Sequence, residues 1–357
     1  MKKKFSPLKF AFSYSGCFIG AGYLSGQELW QFFGSFGKYG WAGLVIAFVL
    51  QSVFAYYSVM LAVKLGSDDF TALISEAENS FLKKFFFYSA VIFVFLTLTV
   101  TVAGAKSCFE SVTGKNGLWF SVLFSLFVFF GATRLSGGAT AILSVSVPLL
   151  TAATFSIAVY VVCKFGFPNV YSLKVTGKTL LLPNFFISAA MFAGHNFFCS
   201  LGTIVPAGKN ADKKSAAAGS AISGALSLTV AAATLLPICV FGEFSGEDLP
   251  ILKVAEKAGA PLFLTLSVLL FIAAFGSATS CVGELGDFMK TKGNKKTPLA
   301  IAVVCAFALS FFGFKKLIAA AYPLCGITGL AAAVIIAYNF KKSSREYTFR
   351  KKTKEIV

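Results

Sequence analysis

The residues best suited to chemistry interrupt the first long apolar stretch of the chain. Residues 16 to 28 read Gly-Cys-Phe-Ile-Gly-Ala-Gly-Tyr-Leu-Ser-Gly-Gln-Glu, within an apolar segment at about 10–34. Glycine, serine, glutamine and the carboxylate of Glu28 stand where a plain membrane anchor carries Leu, Ile, Val or Phe. Backbone without helical hydrogen bonds is tolerated at membrane depth only beside protein or a watery cavity. The pattern predicts a discontinuous helix that contributes to a binding site near the bilayer midplane.

Two interpretations of this interruption remain open from the residues alone. The pairs Gly16/Gly20 and Gly22/Gly26 both have the GxxxG spacing, which permits close helix packing without a break. Glu28 is a carrier of a coupling proton, a cap for backbone amides that the break sets free, or a carboxylate close enough to the outer surface to be hydrated.

A second interruption is predicted in the apolar segment at about 182–205. Ala193, Gly194, His195 and Asn196 lie near its centre. Glycine costs roughly 1 kcal/mol in a helix interior, and asparagine competes for backbone hydrogen bonds. His195 is the only histidine of the chain, and it is costly at membrane depth unless it faces a cavity or a partner. His195 is therefore either a substrate contact or a buried, hydrogen-bonded structural residue.

Hydroxyl groups in the segment at about 261–288 form a third candidate element. Thr279 and Ser280, one turn after the carbonyl of Gly276, offer the hard oxygen ligands that an alkali cation needs. Carbonyl groups of the first segment would complete the shell. Small hydroxyl residues are also ordinary packing residues in membrane helices, so this alternative stays open. His195 and Cys199 have the spacing of two metal ligands on one helix face, but without a second pair we predict no metal beyond Na⁺.

Composition identifies the elements that must position these residues. The chain of 357 residues is 57% hydrophobic, with a mean hydropathy of +0.78, which is typical of a polytopic all-α membrane protein. The net charge of +17 comes from Lys and Arg at the ends of apolar segments, so we predict no nucleic-acid partner. No Walker loop, HExxH or GxSxG motif is present, and we predict that the protein is not an enzyme and needs no cofactor.

Ten apolar segments are long enough to span a hydrocarbon layer of about 30 Å. They run at about 10–34, 41–63, 85–105, 117–133, 139–163, 182–205, 215–241, 261–288, 297–314 and 316–340. With both termini cytoplasmic, 22 of the 32 Lys and Arg residues lie inside, as the positive-inside rule requires. Two groups of five segments then have opposite topology, which is the arrangement of inverted-repeat transporters.

The motif Phe18-Ile-Gly-Ala-Gly-Tyr-Leu-Ser-Gly-Gln-Glu28, followed by Gln31-Phe-Phe-Gly and Phe36-Gly, resembles the YkvI-like bacterial membrane proteins. That family belongs to the amino acid–polyamine–organocation superfamily, which has the leucine-transporter (LeuT) fold. The resemblance implies a five-plus-five inverted repeat with helices 1 and 6 broken around a central site. It also implies substrate contacts and one Na⁺ site at matching positions. The substrate contacts are Gly20, Ala21, Gly22, Ala193, Gly194, His195 and Asn196, and the Na⁺ ligands are Gly20, Gly276, Thr279 and Ser280.

These observations lead to one functional hypothesis with one main alternative. We expect a single membrane domain over 1–357, with repeats at 8–163 and 182–340 and a basic cytoplasmic tail at 341–357. We expect a secondary transporter of a small solute, such as an amino acid or related zwitterion, coupled to Na⁺ or H⁺ in the bacterial cytoplasmic membrane. The alternative is a solute receptor of the germinant-receptor type that does not transport. The lipid bilayer and the solute are the expected partners, and the sequence leaves the oligomeric state open.

Overall fold

The computed structural model describes residues 5–75, 80–134, 138–169, 173, 175–208, 210–289 and 295–356; the side chains of Ala21, Thr140 and residues 344–356 lie outside this description. Helices dominate these ranges, and short 3₁₀ turns lie at Gly34–Phe36 and Gly242–Gly246. The α-helices are α1 (Pro7–Gly16), α2 (Ala21–Leu24), α3 (Gln27–Phe32), α4 (Lys38–Leu65), α5 (Phe70–Ile74), α6 (Phe81–Thr113), α7 (Leu118–Arg134), α8 (Gly138–Phe165), α9 (Phe185–Gly208), α10 (Lys213–Val240), α11 (Pro250–Ala258), α12 (Ala260–Phe288), α13 (Lys296–Ser310) and α14 (Phe314–Ile356).

Seven of the described helices are long and apolar enough to cross a membrane: α4, α6, α8, α9, α10, α12 and the part of α14 from Phe314 to Ser343. The helices α7 and α13 are apolar but shorter. Each of these nine helices coincides with one of the apolar segments predicted after the first. The protein is therefore a multi-pass membrane protein.

The first apolar segment is divided into the three short helices α1, α2 and α3. Helix α1 begins at Pro7, where the Ser6 hydroxyl accepts a hydrogen bond from the Lys9 amide. It ends at Gly16, and Gly26 separates α2 from α3 with a left-handed φ of 84°. A side chain at Gly26 would also overlap Ile238 of α10. Only glycine satisfies both the positive φ and the close approach.

The predicted break in the sixth segment is wrong, because α9 runs as a helix from Phe185 to Gly208, through Ala193–Asn196. Gly194 does not interrupt the helix but lies at a close helix crossing, since a Cβ at this position would overlap the carbonyl oxygen of Gly326 on α14. A Cβ at Gly329 would likewise overlap the carbonyl oxygen of Gly194. These glycines let the backbones of α9 and α14 approach closely, as small residues do between membrane helices.

Two short elements close over the ends of the bundle. At one end, the Ile251 amide of α11 donates a hydrogen bond of 3.2 Å to the Ser25 carbonyl, so α11 rests on the interrupted segment. The hydroxyl of Ser107 on α6 donates to the carboxylate of Asp248, just before α11, at 2.7 Å. At the other end, the Asn339 side chain of α14 donates to two carbonyls of α5.

Candidate functional site

The interruption between α1 and α2 opens into a cavity of about 310 Å³. Its walls come from the first segment and from helices α6, α8, α9, α12 and α14. Aromatic and aliphatic side chains form most of the lining, with a small number of polar groups among them. This combination of size and lining is that of a small-molecule site. The polar and ionisable groups are Cys17, Tyr23, Glu28, Thr97, Thr101, Cys108, His195, Cys199, Thr203, Ser277, Ser280, Cys281, Glu284 and Tyr322.

Glu28 lies in the first turn of α3, two residues after Gly26, and is only 3% exposed. Its Oε1 atom has no hydrogen-bond partner among the described residues. The basic group that faces this carboxylate is the imidazole of His195, whose Nε2 atom lies 4.0 Å from Oε1. No described hydrogen bond joins Oε1 to a backbone amide at the break, so this atom does not act as a cap. The carboxylate faces the cavity instead.

His195 lies near the middle of α9 and is held between rings from two other helices. Its imidazole stacks on Tyr322 of α14, with ring centroids 4.1 Å apart and planes inclined by 22°. Phe93 of α6 lies on another side, at 5.3 Å between centroids. The Nδ1 atom has no hydrogen-bond partner within the described part of the chain. The ring is therefore fixed by packing, while both of its nitrogen atoms retain hydrogen-bonding capacity.

Glycines of the first segment line the same cavity. A Cβ at Gly22 would lie 3.5 Å from the Tyr322 hydroxyl, and a Cβ at Gly20 would lie 3.6 Å from the Ser277 hydroxyl. The backbone of Ala21 begins α2 between them. The structure thus brings Gly20, Gly22, Glu28 and His195 to one cavity.

The other residues predicted on α9 do not line this cavity. Ala193 and Asn196 are fully buried, and Gly194 forms the close crossing with α14. The side-chain amide of Asn196 has no hydrogen-bond partner among the described residues. Because α9 remains helical here, only one side of it faces the first segment, and His195 is the member of the four on that side.

The predicted cation ligands on α12 separate onto two faces. A Cβ at Gly276 would contact Ile142 and Leu143 of α8, and the Thr279 hydroxyl lies against Gly131 of α7. Neither Gly276 nor Thr279 lines the cavity, whereas Ser280 does. The structure therefore places Ser280 at the cavity but not Gly276 or Thr279, and the cation site that combines these residues stays a prediction.

Ser277 is a further hydroxyl residue of α12 that lines the cavity, and the sequence prediction did not include it. It lies opposite Gly20 and one turn before Ser280 on the same face of α12. The spacing of three residues between the two serines was a signal available in the sequence. Tyr322 was missed because its partners, Gly22 and His195, lie far away along the chain.

The cavity has an uneven distribution of charge. Carboxylates of Glu28 and Glu284 line it, and no lysine or arginine does so within the described ranges. Thiols of Cys17, Cys199 and Cys281 add groups that carry no positive charge. Over the same ranges, no group of three or more His, Cys, Asp and Glu residues is placed to hold a metal ion. The lining therefore favours positively charged ligands.

Hydroxyl groups attach the first segment to helix α10. The Ser15 hydroxyl lies 3.0 Å from those of Ser223 and Ser227 on α10. The Tyr23 hydroxyl donates to the Ser227 carbonyl at 3.0 Å. These buried contacts attach α1 and α2 to α10 on either side of the interruption.

Comparison with solved structures identifies this architecture. The chain superposes on MhsT in complex with L-phenylalanine with a TM-score of 0.60 and 17% identity, over 94% of this chain and 89% of that one. The inward-facing conformation of Mhp1 superposes with a TM-score of 0.57 and 14% identity, over 94% of this chain and 76% of that one. A mutant of the manganese transporter of Eremococcus coleocola superposes with a TM-score of 0.57 and 14% identity, over 93% of this chain and 85% of that one. The fold and the cavity at its interrupted first segment define a multi-pass membrane protein of the LeuT fold.

Two curated proteins of Bacillus subtilis (strain 168) are similar along nearly the whole chain. The uncharacterized protein YyaD is 25% identical over 335 residues, covering 90% of this chain and 93% of its own. The uncharacterized membrane protein YkvI is 24% identical over 347 residues, covering 92% and 95%. No protein-family model matches the sequence. The chain is therefore similar to these two proteins over most of its length, and it shares the fold of the solved structures above.

Proposed function

We propose that the protein is a secondary active transporter that moves a small solute by alternating access, coupled to Na⁺ or H⁺. The observation that carries this proposal is the cavity of about 310 Å³ formed where the first segment is interrupted. Backbone groups at such an interruption bind ligands directly, and helix ends beside it stabilise charged groups. The solute is an amino acid or related zwitterion, or another small amine of similar size.

Alternating access requires two halves that rearrange about the site. The helices α1 to α3 count as one crossing, and α4, α6, α7 and α8 complete a first group of five. The helices α9, α10, α12, α13 and α14 form the second group, and we propose that the described helices make ten crossings arranged as a five-plus-five inverted repeat. Of the two interruptions expected in this architecture, the first is present and the second is not, because α9 is a continuous helix from Phe185 to Gly208.

The distribution of basic residues sets the orientation in the bacterial cytoplasmic membrane. Lys64, Lys83, Lys84 and Arg134 lie at ends of α4, α6 and α7 that belong to one side of the bilayer in a ten-crossing topology. The basic residues after Phe340 belong to the same side. Under the positive-inside rule this side is the cytoplasm, which places both termini there.

The similar solved structures are associated with chemically different ligands, so the solute has to be found by experiment. One of these structures is that of a manganese transporter, and MhsT was solved in complex with L-phenylalanine. The test is uptake of labelled amino acids and small amines into proteoliposomes under an imposed Na⁺ or pH gradient. Accumulation that requires a gradient supports transport. Binding without accumulation would support the alternative of a solute receptor.

A variant within the cavity makes this test specific. Gly22→Leu places a side chain against the Tyr322 hydroxyl and should abolish uptake. Gly246→Ala is the matched control, because no atom lies within 4 Å of the added Cβ. Uptake that persists at the wild-type rate in Gly22→Leu would show that the solute does not use this cavity.

A further inference from the structure

The buried side chains of Glu28 and His195 form an incomplete pair. The Oε1 and Nε2 atoms lie 4.0 Å apart, and the two residues are 3% and 5% exposed. Neither Oε1 of Glu28 nor Nδ1 of His195 has a hydrogen-bond partner among the described residues. A buried carboxylate without a cation or a donor is strongly unfavourable. One added proton removes this cost, either as a neutral acid beside a neutral imidazole or as an imidazolium beside a carboxylate.

Among the described neighbours of the pair, no cationic side chain supplies the positive charge that such a proton would bring. The titratable side chains that interact electrostatically with Glu28 are Tyr23 of α2, Tyr322 of α14 and Cys199 of α9. Cys17 before α2, Cys281 and Glu284 of α12, and Cys325 of α14 form the next group around Cys199 and Tyr322. Helix α6 contributes the apolar ring of Phe93. Phenols, thiols and carboxylic acids are neutral or anionic, so a fixed positive charge is lacking among these neighbours.

The pair also joins two elements with different mechanical properties. Glu28 lies in the first turn of α3, which follows the left-handed backbone at Gly26, whereas His195 lies within the continuous helix α9. Tyr322 and Phe93 hold the imidazole in position, so a change in attraction acts mainly on the short helix α3. Protonation therefore changes the attraction between the interrupted segment and the rest of the bundle.

The expected Na⁺ site is less complete than this pair. Gly276 and Thr279 face α8 and α7, which leaves the hydroxyls of Ser277 and Ser280 near the first segment. A protein cation site without a carboxylate depends on several oxygen ligands converging on one point. The structure brings the carboxylate of Glu28 and the imidazole of His195 to 4.0 Å, whereas of the predicted hydroxyl pair only Ser280 lines the cavity.

We infer that Glu28 and His195 together bind the coupling ion, and that this ion is a proton. The inference rests on the proposed function and selects one of its two coupling ions. A proton from water on one side of the membrane enters the cavity and binds to the pair, which changes its net charge from −1 to 0. After the rearrangement the same proton returns to water on the other side, and the pair regains its charge of −1.

A single histidine makes the pair directly observable without knowledge of the solute. The full-length protein, purified with a tag that contains no histidine and labelled with ¹⁵N-histidine, gives imidazole signals from His195 alone. These signals should change with pH in the wild type as the pair gains and loses its proton. Glu28→Gln retains the size of the side chain and removes its charge. We expect it to shift the midpoint of the His195 titration by one pH unit or more, which corresponds to a tenfold change in proton affinity.

Two further variants keep this titration interpretable. Glu256→Gln removes an exposed carboxylate of α11 that pairs with Lys253, and it should leave the His195 midpoint unchanged. Glu28→Asp retains a carboxylate, so its His195 midpoint should lie close to the wild-type value. This variant separates the effect of the charge from an effect of misfolding. A midpoint that changes by less than 0.3 unit in Glu28→Gln would overturn the shared proton site.

Uptake measurements separate the failure of this inference from the failure of the proposed function. Gradient-driven uptake that follows Na⁺ at constant pH and survives Glu28→Gln would overturn the proton assignment and leave transport intact. A shared titration of the pair without uptake under any gradient would instead contradict transport. Uptake driven by a pH gradient alone, and lost in Glu28→Gln, is the expected result.

Discussion

Gly194 of α9 lies directly against the backbone carbonyl of Gly326 on α14, so that no Cβ fits between the two helices. The same crossing places Gly329 against the carbonyl of Gly194. Since Tyr322 lies one turn before Gly326 on α14, this close approach brings its ring onto His195. The glycines therefore position one wall of the cavity although they do not line it.

Substitutions at this crossing should destabilise the protein. In Gly326→Ala the new Cβ overlaps the carbonyl of Met191 on α9, and the helices have to separate. We expect the free energy of unfolding to fall by about 1–3 kcal/mol, as in other overpacked sites. Thermal unfolding in detergent measures this change. Gly283→Ala on α12 is the control, because nothing lies within 4 Å of its added Cβ; equal effects of both variants would contradict the tight crossing.

The left-handed backbone at Gly26 leads to a second prediction. Gly26→Ala introduces a Cβ at a φ of 84° and against Ile238, whereas Gly66→Ala introduces one at a φ of 61° with open space around it. The conformational cost is about 1–2 kcal/mol at either position. Gly26→Ala should cost more than Gly66→Ala, since only the former also overlaps a side chain. Equilibrium unfolding of both variants compares the two costs.

A double variant isolates the contribution of the overlap. Adding Ile238→Ala to Gly26→Ala removes the side chain that the new Cβ would meet. The effects of the two substitutions should therefore be less than additive. Strict additivity would show that Ile238 does not restrict the break.

The part of the site that the sequence predicts is the part encoded locally. Glycines and polar residues within one apolar run indicated the interruption, and the carboxylate of Glu28 and the lone His195 stood out by residue type. Gly194 gave the same local signal as a break, but its partners Gly326 and Gly329 lie in the last helix. A single apolar run therefore could not distinguish a break from a close crossing.

The sequence also did not predict which face of α12 is turned to the cavity. Ser277, Thr279 and Ser280 are all small hydroxyl residues within one turn of helix, and their types do not specify which face is turned to the cavity. The choice is made by tertiary packing, because Gly131 of α7 admits the side chain of Thr279. The residue pattern did not indicate that Ser277 and Ser280 line the cavity while Thr279 does not.

Water access to α12 provides a third prediction. In a background without native cysteines, Ser277→Cys faces the cavity and Thr279→Cys faces Gly131. A water-soluble thiol reagent should modify Ser277→Cys at least tenfold faster, because the reactive thiolate needs a hydrated environment. Mass spectrometry of the intact protein measures both rates. Faster modification of Thr279→Cys would restore the hydroxyl pair of Thr279 and Ser280 to the candidate ion site.

The stacking of Tyr322 on His195 provides the last prediction. The two ring centroids lie 4.1 Å apart, and such contacts contribute about 0.5–1.5 kcal/mol beyond the buried area. Tyr322→Phe retains the ring, whereas Tyr322→Leu retains only apolar bulk. The imidazole proton signals of His195 should therefore keep their ring-current shift in Tyr322→Phe and lose it in Tyr322→Leu. Uptake should follow the same order, since an imidazole released from Tyr322 no longer faces Glu28 at a fixed distance. Equal spectra for the two variants would mean that Phe93 alone positions the ring.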